Sequence, residues 1–305
     1  MSVTYPISPD ELHPAGMAAA MAALQRGFDY FGIDFYIVGA VARDIWLSQV
    51  HEEPIRRMTK DLDLAVLLNN AAQYEALLVW LTEEEGFIRT AHSAFCLLYQ
   101  PAGEVNSVAV DLMPFGAIAD EAGDVYFSVR GMERISTVGY EAVLSGAATM
   151  TTPAGQQWRV VTLPGLVALK LIAWQDRPEK RGKDALDVRS LLQRYFDLEQ
   201  EAIYASHHDL FEESDSDPAD TGLFLQLVAT RVMGRQLQGL LKSEPVHTRL
   251  LDLLRAEVQA GEQSRLARAM SQTQYREEPA VPSLENCLAL LTALETGLLD
   301  GAGKR

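Results

Sequence analysis

The chain has two cysteines, Cys96 and Cys287. Two thiols so far apart neither build a disulfide framework nor supply the cysteines of a structural zinc site. Basic residues are also scarce: 26 Lys and Arg stand against 42 Asp and Glu, leaving a formal charge of −16. A broad grip on DNA needs a basic surface, so bulk DNA binding is excluded and any nucleic-acid contact must rest on a local patch. Long apolar runs are missing too. The most apolar helical stretch, Leu163 to Trp174, is interrupted by Lys170 and is too short to span a bilayer. Met1 to Pro6 carries no basic segment leading into an apolar one, so no secretory signal is read there. A soluble, cytoplasmic protein without a membrane partner is expected. His51, His92, His207, His208 and His247 are scattered without metal-ligand spacing and are read as structural.

What is present is an apolar fraction of 48% in 305 residues, ample for one large or two modest domains. Helical periodicity runs through Pro9 to Phe31. Phe35 to Val38 is a buried strand ended by Gly39, with a helix beginning near Val41. Leu47 to Met58 is polar, holds Pro54, Arg56 and Arg57, and reads as a loop. Asp61 to Leu68 is the second strand and Ala71 to Leu81 a helix. Phe87 to His92, Phe95 to Tyr99, Ser107 to Met113 and Val125 to Val129 read as further strands, and Gly139 to Thr162 holds short β-prone pieces.

From Thr162 the pattern turns helical, with Pro164 in the first turn. Amphipathic helices are predicted over Leu163 to Arg177, Asp184 to Tyr195, Asp220 to Leu241, Thr248 to Ala260 and Ser283 to Leu299. The acidic run Glu212 to Asp217 reads as a solvated loop. The expected architecture is therefore α/β: a mixed sheet flanked by helices over residues 1–161, then a helical domain over 162–305 that closes a cleft.

The most informative residues are Asp61 and Asp63, set in Thr59-Lys60-Asp61-Leu62-Asp63-Leu64. In a strand, residues two apart share a face, so these carboxylates stand side by side between buried neighbours. Like charges that close repel unless a cation neutralises them, and hard oxygen ligands suit Mg²⁺. Asp111, on a later strand, is a third candidate. Alone, the Asp-x-Asp pair also fits an exposed strand with Lys60 as its partner. Arg43 and Asp44 fit either a nucleotide contact or a salt link in the first helix. Lys170, Trp174 and Arg177 fall at i, i+4 and i+7, predicting a basic stripe with one aromatic on a helix face. Asp184 and Asp187 are i and i+3 near a helix start, where carboxylates are favoured; for Asp184 a capping role is equally open. Lys170, embedded among apolar residues, either snorkels to the surface or needs an anion, for which a triphosphate or Asp187 would serve.

Strand, Gly39-Ala40 turn, helix, Asp61-x-Asp63 strand and Asp111 on a later strand together resemble the polymerase-β-like nucleotidyltransferases. Gly39-Ala40 to Asp44 is also similar to the matching segment of CCA-adding enzymes. Lys170 in its apolar helix, Arg177, and Lys183-Asp184-x-x-Asp187 resemble the C-terminal motifs of the AbiEii/AbiGii-type toxin nucleotidyltransferases, with Lys183 replacing an arginine. The turn departs from the usual Gly-Gly or Gly-Ser in having Ala40.

The resemblance implies transfer of a nucleoside monophosphate from an NTP to an acceptor hydroxyl, with two Mg²⁺ ions. Asp61, Asp63 and Asp111 would hold metal, and Asp111 would help deprotonate the acceptor. Gly39, Ala40, Arg43, Lys60, Lys170 and Arg177 would bind the nucleotide, and Asp184 or Asp187 would orient Lys170 or the acceptor. It further implies the acceptor end of a tRNA as target and an antitoxin protein as partner. The alternatives are a small-molecule or protein acceptor, or a non-catalytic nucleotide-binding protein.

Overall fold

The computed structural model describes residues 4–53, 59–91, 93–103, 106–128, 132–212, 221–241, 244–272 and 281–300. Arg56 and Arg57, His92, and the acidic run from Glu213 to Asp217 lie outside them. The chain divides into two compact units, Met1–Thr162 and Leu163–Arg305.

The first unit is built on a mixed eight-stranded sheet. Its strands are β1 (Thr4–Pro6), β2 (Phe35–Ile37), β3 (Asp61–Leu67), β4 (Ile88–Arg89), β5 (Cys96–Tyr99), β6 (Val108–Phe115), β9 (Ala148–Thr151) and β10 (Gln157–Val160), in the order β1-β9-β10-β2-β3-β6-β5-β4. A separate two-stranded antiparallel sheet comprises β7 (Asp124–Ser128) and β8 (Met132–Ser136), and the helices are α1 (Met17–Phe31), α2 (Gly39–Asp44), α3 (Ala71–Glu84) and α4 (Tyr140–Leu144). β3 and β6 run parallel at the centre, and alternation decides their two faces. Leu62, Leu64 and Val66 of β3, with Val110 and Leu112 of β6, are fully buried, each contributing roughly 1.5–3 kcal/mol of hydrophobic burial. On this side the Tyr74 hydroxyl of α3 donates to the Leu112 carbonyl at 2.9 Å. The intervening residues, Asp61, Asp63 and Asp111, therefore occupy the opposite face.

Two local expectations need correction. The helix after β2 starts at Gly39, not near Val41, and Leu47 to Val50 is not loop: a π-helical turn, Ile45–Val50, continues α2. The reason is tertiary. Trp46 and Leu47 are buried, and the Trp46 indole donates to the Val161 carbonyl at 2.7 Å while Tyr5 meets its ring edge-on. β1 and β8 also escaped the sequence pattern, being short strands fixed by pairing with β9 and β7.

The second unit is helical: α5 (Leu163–Asp176), α6 (Gly182–Ser206), α7 (Asp209–Glu212), α8 (Thr221–Leu240), α9 (Glu244–Gln259), α10 (Arg265–Met270) and α11 (Leu284–Leu299). α5 is not amphipathic as expected, since its residues from Leu163 to Ile172 are all buried. Arg189 of α6 is buried as well and donates to the Met270 and Gln272 carbonyls, each at 2.8 Å. Among the described residues no helix is long and apolar enough to cross a membrane.

α8 and α11 touch backbone to backbone at Gly234 and Gly297. A Cβ on Gly297 would sit 2.1 Å from the Arg231 carbonyl oxygen and 2.8 Å from the Gly234 Cα. Backbone cannot yield as a flexible side chain does, so the helices would have to separate. Gly297→Ala is expected to destabilise the protein by about 1–3 kcal/mol, measured by urea denaturation; an unchanged midpoint would show that the crossing tolerates a methyl group.

Candidate active site

The parallel β3–β6 register sets Asp63 directly against Asp111, with Asp61 against Ala109. One carboxylate oxygen from each of Asp61, Asp63 and Asp111 lies within 4.8 Å of the others. Asp61 is exposed, while Asp63 and Asp111 are half-buried. Burial raises the Asp111 pKa above the usual carboxylate range; a hydrogen bond from the Cys96 thiol opposes this, and the charges of Asp61 and Glu133 add to the rise. Three hard oxygen donors in one cluster fit a divalent cation of the Mg²⁺ kind.

Gly39 closes one side of the cluster. Its φ of +66° falls in the left-handed region, and a Cβ there would lie 2.0 Å from the Asp63 Oδ2. Glycine is thus needed on two counts, conformation and room for the Asp63 carboxylate itself. The Val38 amide donates to the Asp63 carbonyl at 3.0 Å, tying the turn to β3. Among the described residues no side chain caps the N-terminus of α2.

In the second unit Lys170 is 8% exposed and its ammonium donates to Asp184 at 2.9 Å and Asp187 at 2.7 Å. Burial pulls its pKa down, but Asp187 and Asp184 outweigh this and leave it above the ordinary lysine value. Asp184 is not the helix cap; Arg181 occupies that position and Asp184 stands in the first turn. The stripe expected from Lys170, Trp174 and Arg177 does not form. Trp174 is 3% exposed and belongs to the core, and Arg177 follows the end of α5 with an exposed side chain.

The model of the family described as "Nucleotidyl transferase AbiEii toxin, Type IV TA system" matches residues 22–290. The chain belongs to this family. The AbiEii-family enzyme is accordingly a nucleotidyltransferase, and its mixed sheet flanked by helices with a helical C-terminal region is a nucleotidyltransferase fold. No curated protein matches it. Solved structures to which it is similar include ANT(2")-Ia in complex with adenylyl-2"-tobramycin, at 14% identity over 70% of this chain and 97% of that one, TM-score 0.33. Another is the Bradyrhizobium diazoefficiens CD-NTase CdnG in complex with GTP, at 13% identity over 98% and 88%, TM-score 0.30. A third is the Thermotoga maritima CCA-adding enzyme complexed with tRNA, at 11% identity over 95% and 82%, TM-score 0.29. Similarities of this size are too distant to assign a substrate.

Other residues of the AbiEii-family enzyme fall as follows. Arg43 and Asp44 form a buried ion pair at 2.7 Å, and the second Asp44 oxygen accepts from the Thr59 hydroxyl at 2.9 Å. The salt-link alternative is thus realised, and it anchors α2 to the segment leading into β3. Lys60, next to Asp61, is exposed, and Ala40 is half-buried in the turn. Sequence reasoning passed over Cys96, which pairs with Asp111 across β5 and β6. Its signal would have been cross-strand register, which a single strand does not carry.

Two outcomes follow from these charges. A carboxyl whose folded pKa is raised favours the folded state at pH below the ordinary value, and that contribution is lost as pH rises through the raised one. Metal-free protein therefore carries an Asp111 penalty at pH 7. Asp111→Asn is expected to melt higher than the parent in EDTA at pH 7, by about 2 °C, with the gap closing in acid; a lower melting point across the whole pH range would contradict this. Lys170→Met takes the cation from the buried Asp187 and leaves the half-buried Asp184 only its longer pair to Arg181 at 3.5 Å, and it is expected to cost about 3–5 kcal/mol in urea denaturation. Lys170, with its raised pKa, stabilises below the ordinary lysine value and ceases to do so only as pH climbs through the raised one. A loss under about 1 kcal/mol at neutral pH would mean that the buried cluster behaves as a surface pair.

Proposed function

We propose that the enzyme transfers a nucleoside monophosphate from an NTP to an acceptor hydroxyl in a Mg²⁺-dependent reaction, releasing pyrophosphate. The observation that supports this most is the convergence of Asp61, Asp63 and Asp111 beside the Gly39 turn. Those three carboxylates would hold the metal, up to two Mg²⁺ ions, which when bound neutralises charge developing on the phosphate oxygens. Asp111 accepts the proton of the attacking hydroxyl. The new bond forms between that oxygen and the α-phosphorus as the bond to the pyrophosphate oxygen breaks.

The amides of Gly39 and Ala40 receive phosphate oxygens, assisted by Lys60, while Arg43 acts indirectly by fixing α2 through Asp44. Lys170 spends two of its three N–H donors on Asp184 and Asp187; the third is the one offered to the triphosphate, and Arg177 adds charge. Asp184 and Asp187 orient Lys170. Positioning and preorganised charge carry most of the rate in such transfers.

For the acceptor we favour the acceptor end of a tRNA, with an antitoxin protein as partner and the cytoplasm as compartment. The toxin description of the family supports this direction. Exposed Lys60, Lys180, Arg181 and Lys183 are basic groups available to an RNA backbone. The second reading, a small-molecule or protein hydroxyl, is favoured by the charge of −16, which repels a polyanion. Incubation with each α-³²P-labelled NTP, Mg²⁺ and, separately, total RNA, protein extract and small alcohols distinguishes them. Label is expected in RNA, and Asp63→Ala is expected to reduce it at least about 10³-fold, the scale of removing a principal electrostatic group. Label in protein or alcohol alone would transfer the conclusion to the second reading; no Mg²⁺-dependent turnover of any NTP with any acceptor would leave a binding protein.

A further inference from the structure

The row of metal-site carboxylates continues onto a third strand. Cys96 of β5 stands opposite Asp111 in the antiparallel β5–β6 register, as Asp63 does in the parallel β3–β6 register. Asp63, Asp111 and Cys96 thus lie in one line across the sheet and share its face. Cys96 is half-buried, and the register sets its side chain beside that of Asp111. The hydrogen bond its thiol makes to the Leu97 carbonyl is long, 3.9 Å, and a charged acceptor alongside outcompetes such a contact to a neutral one. Thr90 holds the residue from the far side, its amide donating to the Cys96 carbonyl at 3.2 Å.

A thiol suits this place chemically. It supplies a proton donor to one Asp111 oxygen without a fourth negative charge beside three carboxylates, and without a cation that would compete with a metal ion. We infer that Cys96 is a positioning residue of the nucleotidyl-transfer site, holding the Asp111 carboxylate in the orientation that completes a divalent-cation site with Asp61 and Asp63. This rests on the assignment of Asp111 as a metal ligand. Removal of a hydrogen-bond partner behind a metal ligand commonly weakens metal affinity by about 10–100-fold; for a weak thiol donor about fivefold is expected.

The test is Mn²⁺ binding to the purified full-length chain, followed by the electron paramagnetic resonance of free Mn²⁺, for the parent, Cys96→Ser, Cys96→Ala and Asp111→Asn. Cys96→Ser keeps a hydroxyl donor and is expected within about twofold of the parent, whereas Cys96→Ala loses about fivefold. Equal affinity in all three Cys96 forms, or equal loss in Ser and Ala, would overturn the inference, the latter because it reports packing rather than donation. Mn²⁺ affinity that survives in Asp111→Asn would instead remove the metal assignment, independently of Cys96. Melting curves of all four in EDTA identify any variant that has lost its fold, and the Ser-to-Ala comparison is then made with Cys96→Thr and Cys96→Val.

Discussion

Mutual repulsion among three carboxylates is the constraint around which the first unit is organised. Their oxygens approach within 4.8 Å of one another because the backbone gives them no choice: the β3–β6 register faces Asp63 against Asp111, and the alternate residues of both strands are locked into a fully buried apolar layer. Sliding either strand by one residue would expose that layer and bury the acids. Hydrophobic burial thus holds the charges at a distance they would not adopt alone, and a cation is the natural way to relieve them.

The surroundings of the cluster serve the same end by different chemistry. Gly39 withholds a side chain so that Asp63 has room. Arg43, Asp44 and Thr59 close a buried polar link whose groups satisfy one another, anchoring α2 without placing a free charge near the acids. Cys96, opposite Asp111 in the register, adds no charge. In the second unit the balance is reversed: the Lys170 ammonium stands between Asp187 and Asp184, with Arg181 reaching Asp184 at 3.5 Å, and the two carboxylates keep the ammonium protonated despite its burial.

Membership of the AbiEii family makes the protein a nucleotidyltransferase. The enzyme class follows from the family, and the acid cluster agrees with it chemically. The acidic surface bears on the acceptor, since an RNA substrate would have to approach through a small basic region against an overall repulsive field.

Local pattern alone was enough for several things. Asp61-Leu62-Asp63-Leu64 alternates, so one face apolar and one acidic followed from the two-residue period of a strand. Long helices such as α8, α9 and α11 followed from their 3.6-residue repeat. Lys170 in an apolar run had either to snorkel to the surface or to find an anion, because a lone buried ammonium is prohibitive. Other features arise between segments distant in the chain, and no local period encodes them. Whether Leu47 is loop or helix depended on Trp46 reaching Val161. Trp174 became core because α5 is surrounded on all sides. Cys96 became a neighbour of Asp111 through strand register, and Gly39 proved necessary because Asp63, twenty-four positions later, lies against its Cα. Sequence sets what each short segment prefers and which groups need partners; tertiary structure decides who those partners are, because only the closed sheet and the packed bundle fix distances between residues that the chain itself leaves free.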